Sequence, residues 1–196
     1  MGLLPQKLWD VISIVIRFPT LLPREQVAFF KSIGKHLPIE TDPYTRVAVF
    51  TEAKDWEKWY LPKDGVKGKR ILDVGAGSGE TAWFFFNHGA ESVVCIEPDK
   101  PRFDMLLRNA KKFNWNVQAY NRKFRQSDLF DFHPDLAKLD CEGGEDALLG
   151  LTEAQLPPLL MEIHYPERMS RFRKEFPNME ITEGAHKNLW MARWKA

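Results

Sequence analysis

The stretch Arg70–Asp99, RILDVGAGSGETAWFFFNHGAESVVCIEPD, decides the fold that we predict for this chain. The apolar run over 71–74 is typical of a buried parallel strand. Three glycines follow at alternate positions, where the chain has to turn sharply and a ligand can approach the backbone: Gly75, Gly77 and Gly79. A helix over 80–88 and a second strand over 92–96 complete half of a nucleotide-binding βαβ unit.

Two carboxylates flank this turn and distinguish it from a nicotinamide-binding turn. Asp73 precedes the glycines, and Glu97 closes the second strand, where it can accept hydrogen bonds from a ribose diol. The spacing is Gly-x-Gly-x-Gly, whereas nicotinamide enzymes favour Gly-x-Gly-x-x-Gly. A carboxylate before the turn repels a pyrophosphate and suits a ligand with ammonium and sulfonium charges. The stretch therefore resembles the first motif of class I S-adenosylmethionine-dependent methyltransferases.

The rest of the chain predicts an α/β fold with a helical extension. Strands and helices alternate from residue 70 and end in two adjacent strands. This order predicts a doubly wound, Rossmann-like, three-layer α/β/α domain over 70–196, whose sheet is mostly parallel with a C-terminal antiparallel hairpin. Residues 1–69 are predicted to be a mainly helical extension that packs on the domain or caps it. An amphipathic helix over 4–17 is predicted to pack on the domain or on a second copy of the chain.

Two local predictions concern the second half of the domain. Apolar residues at helical spacing predict the buried stripe of a helix after Asp99: Phe103, Leu106, Leu107 and Ala110. The polar composition of 122–133 predicts a loop.

Composition places few limits on the function. The chain has 196 residues, a formal net charge of +1 and two cysteines. This charge favours neither nucleic acid nor membrane as a partner. The two cysteines are typical of reduced intracellular thiols. We find no signal peptide and no predicted membrane span, and we expect the protein to be cytoplasmic.

Candidate catalytic groups follow the later strands. Asp140, Glu142 and Glu145 come after one predicted strand, and Glu162 and His164 lie near the end of the next. The carboxyl ends of parallel strands meet at one edge of the sheet, so these groups are expected to converge there. Such oxygen ligands with a histidine could hold a divalent cation, but the spacing is loose and no metal is predicted.

At these residues the chain resembles the FkbM-type methyltransferase family. The resemblance covers about residues 70–165 and rests on several separated motifs in order: Gly79-Glu80-Thr81, Glu97-Pro98, Asn109, Lys138-x-Asp140-x-Glu142-Gly143-x-Glu145, Gly150 and Glu162-x-His164. It departs from the family at Gly77-Ser78 and in the short loop over 122–134. The resemblance implies methyl transfer from S-adenosylmethionine, typically to a hydroxyl of a sugar, natural product or other small molecule.

The predicted site has two parts. The residues expected to bind S-adenosylmethionine are Asp73, Gly75, Ala76, Gly77, Gly79, Glu80, Thr81, Glu97, Pro98, Asn121 and Asp140. The predicted catalytic residues are Asp140, Glu142 and His164. His164 or Glu142 is the predicted base that accepts a proton from the acceptor hydroxyl. Asp140 is expected to position the acceptor.

Three other functions stay open from the sequence. An RNA methyltransferase is indicated by eight Lys or Arg residues within 100–125, interleaved with aromatic residues. A non-catalytic binding protein of the same fold is the second. A nicotinamide-dependent dehydrogenase is a distant third because of the glycine spacing.

Overall fold

A computed structural model describes residues 38–42, 45, 49, 52, 55–184 and 188–196. The chain divides into two compact units, one of residues 1–38 and 42–51 and the other of residues 39–41 and 52–196. The predicted helix over 4–17 lies outside the described residues. The predicted boundary between residues 69 and 70 stays a prediction. The following description concerns the second unit.

This unit alternates strands and helices along the chain. Its elements are α1 Trp56–Tyr60, β1 Arg70–Val74, α2 Glu80–Asn87, β2 Ser92–Ile96, α3 Lys100–Phe113, β3 Val117–Tyr120, α4 Asp128–Asp131, β4 Leu136–Leu139, β5 Leu159–His164, α5 Pro166–Glu175, β6 Glu180–Glu183 and β7 Leu189–Trp194. Short 3₁₀ helices cover Gly144–Leu148 and Glu153–Gln155.

The strands form one seven-stranded sheet in the order β3-β2-β1-β4-β5-β7-β6. Strands β1 to β5 pair in parallel, and β7 pairs antiparallel with both β5 and β6. The mostly parallel sheet and its C-terminal antiparallel hairpin confirm the predicted fold class. Strand order reverses between β1 and β4, and right-handed crossovers place the connections on either side of that point on opposite faces. A crevice therefore opens at the carboxyl ends of β1 and β4.

The core consists of the central strands and the helices on them. Leu72 and Leu139 on neighbouring strands are inaccessible to solvent, as is Phe172 of α5. Burial of each such side chain contributes roughly 1.5–3 kcal/mol. The carboxyl ends of the strands are thereby held on a rigid base.

Helix α3 fully buries only one residue of its predicted stripe, and Phe103 and Ala110 are half-buried. Leu106 is buried, but Leu107 is 44% exposed, and Asn109 is buried instead. The Asn109 side-chain amide donates hydrogen bonds to the carbonyl oxygens of Glu40 (2.7 Å) and Ser78 (2.9 Å). The Asn109 amide thus links α3 to residue 40 and to residue 78. The buried amide is tolerated because its polar atoms are hydrogen-bonded.

The predicted loop over 122–133 contains the short helix α4. Asp128 opens this helix and is 2% exposed. Its carboxylate accepts two hydrogen bonds from the Arg122 guanidinium (2.7 and 2.8 Å) and one from the backbone N–H of Arg125 (2.8 Å). Periodicity could not reveal this helix because it has only four residues and its first residue is held by side-chain and backbone hydrogen bonds from the preceding loop.

Candidate active site

The glycine turn after β1 fits tightly against the end of β4. All three glycines have positive φ (73°, 56° and 100°), a conformation that glycine adopts at no steric cost. A Cβ atom on Gly75 would lie 1.7 Å from the backbone carbonyl oxygen of Asp140. The Gly75 backbone N–H donates to the Ile96 carbonyl oxygen at 2.9 Å. The turn is thus packed between the ends of β2 and β4.

Glu97 holds the turn from the end of β2. One carboxylate oxygen accepts a hydrogen bond from the Gly77 backbone N–H (2.8 Å), and the other accepts one from the Asp99 backbone N–H (2.7 Å). Burial raises the pKa of Glu97, and these two hydrogen bonds oppose that rise. Each oxygen keeps a second lone pair, with which it can still accept a hydrogen bond from a ribose hydroxyl.

Asn121 supports the same strand end from the loop after β3. Its side-chain amide donates to the carbonyl oxygens of Glu97 (2.9 Å) and Pro98 (3.2 Å). Its amide nitrogen therefore orients the backbone that carries Glu97.

Asp73 lies beneath the turn. Its carboxylate is inaccessible to solvent. It accepts a hydrogen bond from the Thr81 hydroxyl (2.6 Å), and Lys138 Nζ lies 3.2 Å from its other oxygen. Lys138 Nζ also donates to the carbonyl oxygen of Gly75 (3.1 Å). Asp73, Thr81 and Lys138 thus stabilise the turn from the interior.

Glu80 begins α2 and is also turned toward the glycines. Its carboxylate accepts a hydrogen bond from the backbone N–H of Ser78 (2.9 Å), while its second oxygen is buried without a partner among the described residues. Burial raises its pKa to about 7, against these hydrogen bonds and the charge of Arg102. Ala76, between the glycines, is buried.

A cavity of about 450 Å³ opens above the strand ends, beside the turn. Glycine backbone forms part of its wall, and two cationic side chains, Lys123 and Arg168, contribute to it. The lining residues are Val74, Gly75, Ile96, Pro98, Lys123, Phe124, Cys141, Glu142, Gly143, Gly144, Ala147 and Arg168. Its volume lies within the ordinary range of small-molecule sites.

The predicted catalytic residues form a second cluster at the ends of β4 and β5. One ligand atom each from Asp140, Glu162 and His164 lie within 4.8 Å of one another. His164 Nδ1 lies 3.8 Å from a Glu145 oxygen, and Nε2 lies 4.0 Å from a Glu162 oxygen. We call Asp140, Glu145, Glu162 and His164 the acidic cluster. Glu142 is exposed and lines the cavity.

Neighbouring carboxylates shift the pKa values of His164 and Glu162 in this cluster. Burial opposes a charge on His164, but Glu145, Asp140, Glu142 and Glu162 raise its pKa to about 9. Burial and the charge of Asp140 raise the pKa of Glu162 to about 8, against the hydrogen bond that the Tyr60 hydroxyl donates to it.

Two functional candidates, Arg168 and Tyr60, were not predicted from the sequence, and Lys123 was predicted only as one of the eight basic residues within 100–125. Lys123 and Arg168 supply the positive charge of the cavity wall, and Tyr60 supplies the hydroxyl that contacts Glu162. Lys123 and Arg168 each follow the end of a parallel strand, β3 and β5. Loops after such strands line the ligand crevice, and this rule could have indicated both. Nothing in the sequence connects Tyr60 to a strand 102 residues away.

The fold is that of class I S-adenosylmethionine-dependent methyltransferases. The tRNA (m1A58) methyltransferase TrmI of Aquifex aeolicus superposes with a TM-score of 0.50 at 20% identity, covering 73% of this chain and 68% of that one. Aeropyrum pernix fibrillarin, in complex with S-adenosyl-L-methionine, has a TM-score of 0.50 at 18% identity, covering 65% of this chain and 66% of its own.

Two sequence relatives carry the same name. The tRNA U34 carboxymethyltransferase of Pseudomonas paraeruginosa is 48% identical over 86 residues, which is 42% of this chain and 26% of that protein. The enzyme of the same name from Hahella chejuensis is 31% identical over 113 residues, 55% of this chain and 34% of its own. This chain thus spans about a quarter to a third of the length of these relatives. No family model matches the chain.

The helices of the described residues include none that is both long and apolar enough to cross a membrane. The expected cytoplasmic location stays a prediction.

Proposed function

We propose that this chain is an S-adenosylmethionine-dependent methyltransferase whose acceptor is RNA. The observation that carries the proposal is the cavity at the reversal of strand order, whose wall includes Gly75 of the glycine turn, Lys123 and Arg168, the last paired with Asp146 at 3.4 Å. The identity with enzymes named for a tRNA nucleotide adds to it. The small-molecule hydroxyl that the sequence had favoured as acceptor becomes the second candidate.

The residues around the cavity suit this cofactor. Gly75, Gly143 and Gly144 present backbone without side chains to the cavity. Glu97 has lone pairs for a ribose diol next to the turn, and Pro98 lies on the wall. When bound, S-adenosylmethionine supplies a methyl group that its sulfonium already activates. The chain's part is to align the acceptor with that methyl group and to exclude water.

The charge around the cavity favours a phosphate-bearing acceptor. Lys123 and Arg168 both contribute to the cavity wall. Of the basic residues within 100–125, three form ion pairs that reduce their effect: Lys100 with Asp104, Arg108 with Glu40, and Arg122 with Asp128. Lys123, on the cavity wall, and Arg125, two residues further along the same loop, form no salt bridge among the described residues. Contacts between such side chains and phosphates would contribute most of the RNA affinity.

Methylation of a hydroxyl on a sugar or natural product is the second candidate, supported by the resemblance to the FkbM-type family. The observation that favours it is the convergence of Asp140 and His164 at the ends of β4 and β5, with Glu142 on the cavity wall. In this proposal Glu142 or His164 accepts the hydroxyl proton and Asp140 positions the acceptor. Glu142→Gln and His164→Gln together would then reduce turnover at saturating substrate.

Labelled methyl transfer separates the two candidates. The full chain is incubated with S-adenosylmethionine carrying a labelled methyl group and with either total cellular RNA or an RNA-free small-molecule extract. We expect nuclease-sensitive label in the RNA. Label in the small-molecule extract alone would contradict an RNA acceptor and support the second candidate. Failure to bind the cofactor at millimolar concentration would instead support a non-catalytic binding protein.

Charge variants test the proposed RNA contact. Lys123→Ala is expected to weaken RNA binding several-fold and to reduce its salt dependence by about one phosphate contact. The matched control is Lys174→Ala, because Lys174 is exposed on α5 and does not line the cavity. Equal effects of the two substitutions would contradict the cavity as the RNA site.

A further inference from the structure

The acidic cluster combines three features that together point to a ligand beyond the methyl donor. Asp140, Glu162 and His164 come from the ends of two adjacent strands, so a rigid sheet sets their separation. Their ligand atoms lie within 4.8 Å of one another, a spacing that atoms around one metal ion can have. Sequence spacing could not establish this, since Asp140 is 22 residues from Glu162.

The second feature is the surplus of negative charge. Asp73, Glu145 and Glu162 are buried, and Asp140 is 32% exposed at its side chain. Among the described residues, Lys138 is the permanent cation within this group, and it lies 3.2 Å from Asp73 and 3.7 Å from Asp140. Four carboxyl groups therefore share one ammonium group and the His164 imidazole, which carries a second positive charge when it is protonated. Buried charge of one sign is costly unless protons or a cation balance it.

The third feature is the orientation of His164. Nδ1 faces Glu145, whose side chain is wholly buried and keeps one oxygen without a hydrogen-bond partner among the described residues. Nε2 faces Glu162. Metal-binding histidines typically direct one ring nitrogen at the ion while a carboxylate holds the other. Glu145 lies 3.8 Å from Nδ1, beyond hydrogen-bond distance in this structure, and is the carboxylate that would orient the ring when an ion binds at Nε2.

From this arrangement we infer that Asp140, Glu162 and His164 bind one divalent cation, with Glu145 as the positioning residue for His164. Two carboxylates and one imidazole suit Mn²⁺, because carboxylates favour hard ions and imidazole favours transition metals. The Tyr60 hydroxyl donates to one Glu162 oxygen and leaves the other for the ion. Binding of the ion displaces protons from the cluster.

Binding of the ion does not depend on the proposed function. Only the role of the bound ion rests on the proposed function. The cluster adjoins the loop that lines the cavity at Cys141 and Glu142. An ion there would be placed to hold an oxygen of the acceptor. A protein that binds Mn²⁺ but transfers no methyl group would contradict the proposed function alone.

Direct titration tests the site. The full chain is freed of metal with a chelator and titrated with MnCl₂, and free Mn²⁺ is followed by electron paramagnetic resonance. We expect one saturable site with a Kd of roughly 0.1 mM or tighter. The wild-type chain alone can overturn the inference, since a folded protein with no saturable site below about 1 mM Mn²⁺ lacks this affinity.

Variants locate the ion. Asp140→Asn and Glu162→Gln keep the side-chain shapes and are each expected to weaken Mn²⁺ binding at least about tenfold. Glu145→Gln is expected to weaken it by about tenfold or more through His164. Glu167→Gln is the matched control, because Glu167 is exposed three residues after His164. Mn²⁺ affinity that Asp140→Asn and Glu162→Gln leave unchanged would show that the ion binds elsewhere, and circular dichroism verifies that each variant is folded.

Discussion

Lys138 Nζ lies 3.2 Å from Asp73 Oδ1, and both side chains are at most 1% exposed. The pair joins neighbouring strands β1 and β4 directly beneath the glycine turn. Lys138 Nζ also donates to the Gly75 carbonyl oxygen. Burial opposes the charge on Lys138, but Asp73 and Asp140 raise its pKa above the ordinary value, so it stays protonated. The ammonium group therefore fixes both the charge balance and the position of the turn.

Replacing one partner of this pair should destabilise the protein strongly. We expect Lys138→Met to lower the free energy of unfolding by about 3–5 kcal/mol, because it leaves the Asp73 carboxylate buried without a counter-charge. Chemical denaturation measures the change. The double variant Lys138→Met/Asp73→Asn should recover much of the loss. A single variant as stable as the wild type would show that the pair contributes nothing.

The Gly75 turn should not tolerate even one methyl group. Gly75→Ala places a Cβ 1.7 Å from the Asp140 carbonyl oxygen, so the two backbones have to separate. Gly65→Ala is the control, because Gly65 has nearly the same φ (71° against 73°) but no neighbouring atom within 4 Å. Positive φ alone costs alanine about 1–2 kcal/mol. Thermal unfolding should show a clearly larger loss for Gly75→Ala, and its cofactor affinity should fall; equal losses would contradict the tight contact.

The stability of the protein should depend on the titration of Glu80. Burial raises its folded pKa to about 7 from an ordinary value of 4.5, so the folded state binds more protons than the unfolded state between these values. Its contribution to the free energy of unfolding should decline as pH rises from about 4.5 to 7 and then level off. The decline has an upper limit of roughly 3 kcal/mol.

Glu80→Gln removes this titration and keeps an oxygen for the Ser78 backbone N–H. Denaturant unfolding at several pH values compares the two proteins. The stability of the variant relative to wild type should rise between pH 5 and pH 8. A difference that stays constant over this range would contradict the raised pKa.

Cofactor binding should be sensitive to Glu97. Its two oxygens each accept a backbone hydrogen bond, from Gly77 and Asp99. Glu97→Gln has one acceptor oxygen, so an NH₂ group faces one of these N–H donors. The substitution also leaves one acceptor fewer for a ribose diol, and one lost hydrogen bond to the ligand costs about 1–3 kcal/mol, which corresponds to a loss of about fivefold or more in S-adenosylmethionine affinity by calorimetry. Glu91→Gln, at an exposed position before β2, should bind as the wild type does.

The strands and most helices could be predicted because local pattern determines them. The apolar run of β1 and the Asp99 cap of α3 are local signals, and Asp99 accepts the predicted hydrogen bond from the Arg102 backbone N–H. The exceptions depend on distant partners. Leu107 is exposed and Asn109 buried because Asn109 bonds to backbone 31 and 69 residues away. Helix α4 has only four residues, and spacing does not reveal the hydrogen bonds from the preceding loop that hold its first residue.

For the candidate site, the sequence predicted the right edge of the sheet but not the distribution of side chains there. The carboxyl ends of parallel strands meet at one edge of the sheet, and this rule correctly predicted that Asp140 and His164 lie close together. The same rules could not show that Asp73 lies beneath the turn and pairs with Lys138, because a strand end has an inner and an outer side. The basic residues on the cavity wall and the named relatives support RNA over a small molecule as the proposed acceptor.

The close approach of Gly75 to the Asp140 carbonyl has a thermodynamic consequence. The glycine turn and the loop that begins at Asp140 are in such close contact that a Cβ atom does not fit between them. A shift of either segment therefore displaces the other. Occupancy of one side should therefore alter affinity on the other, and by linkage the effect is reciprocal and equal in free energy. Whichever ligand binds first would change the affinity for the second by the same factor.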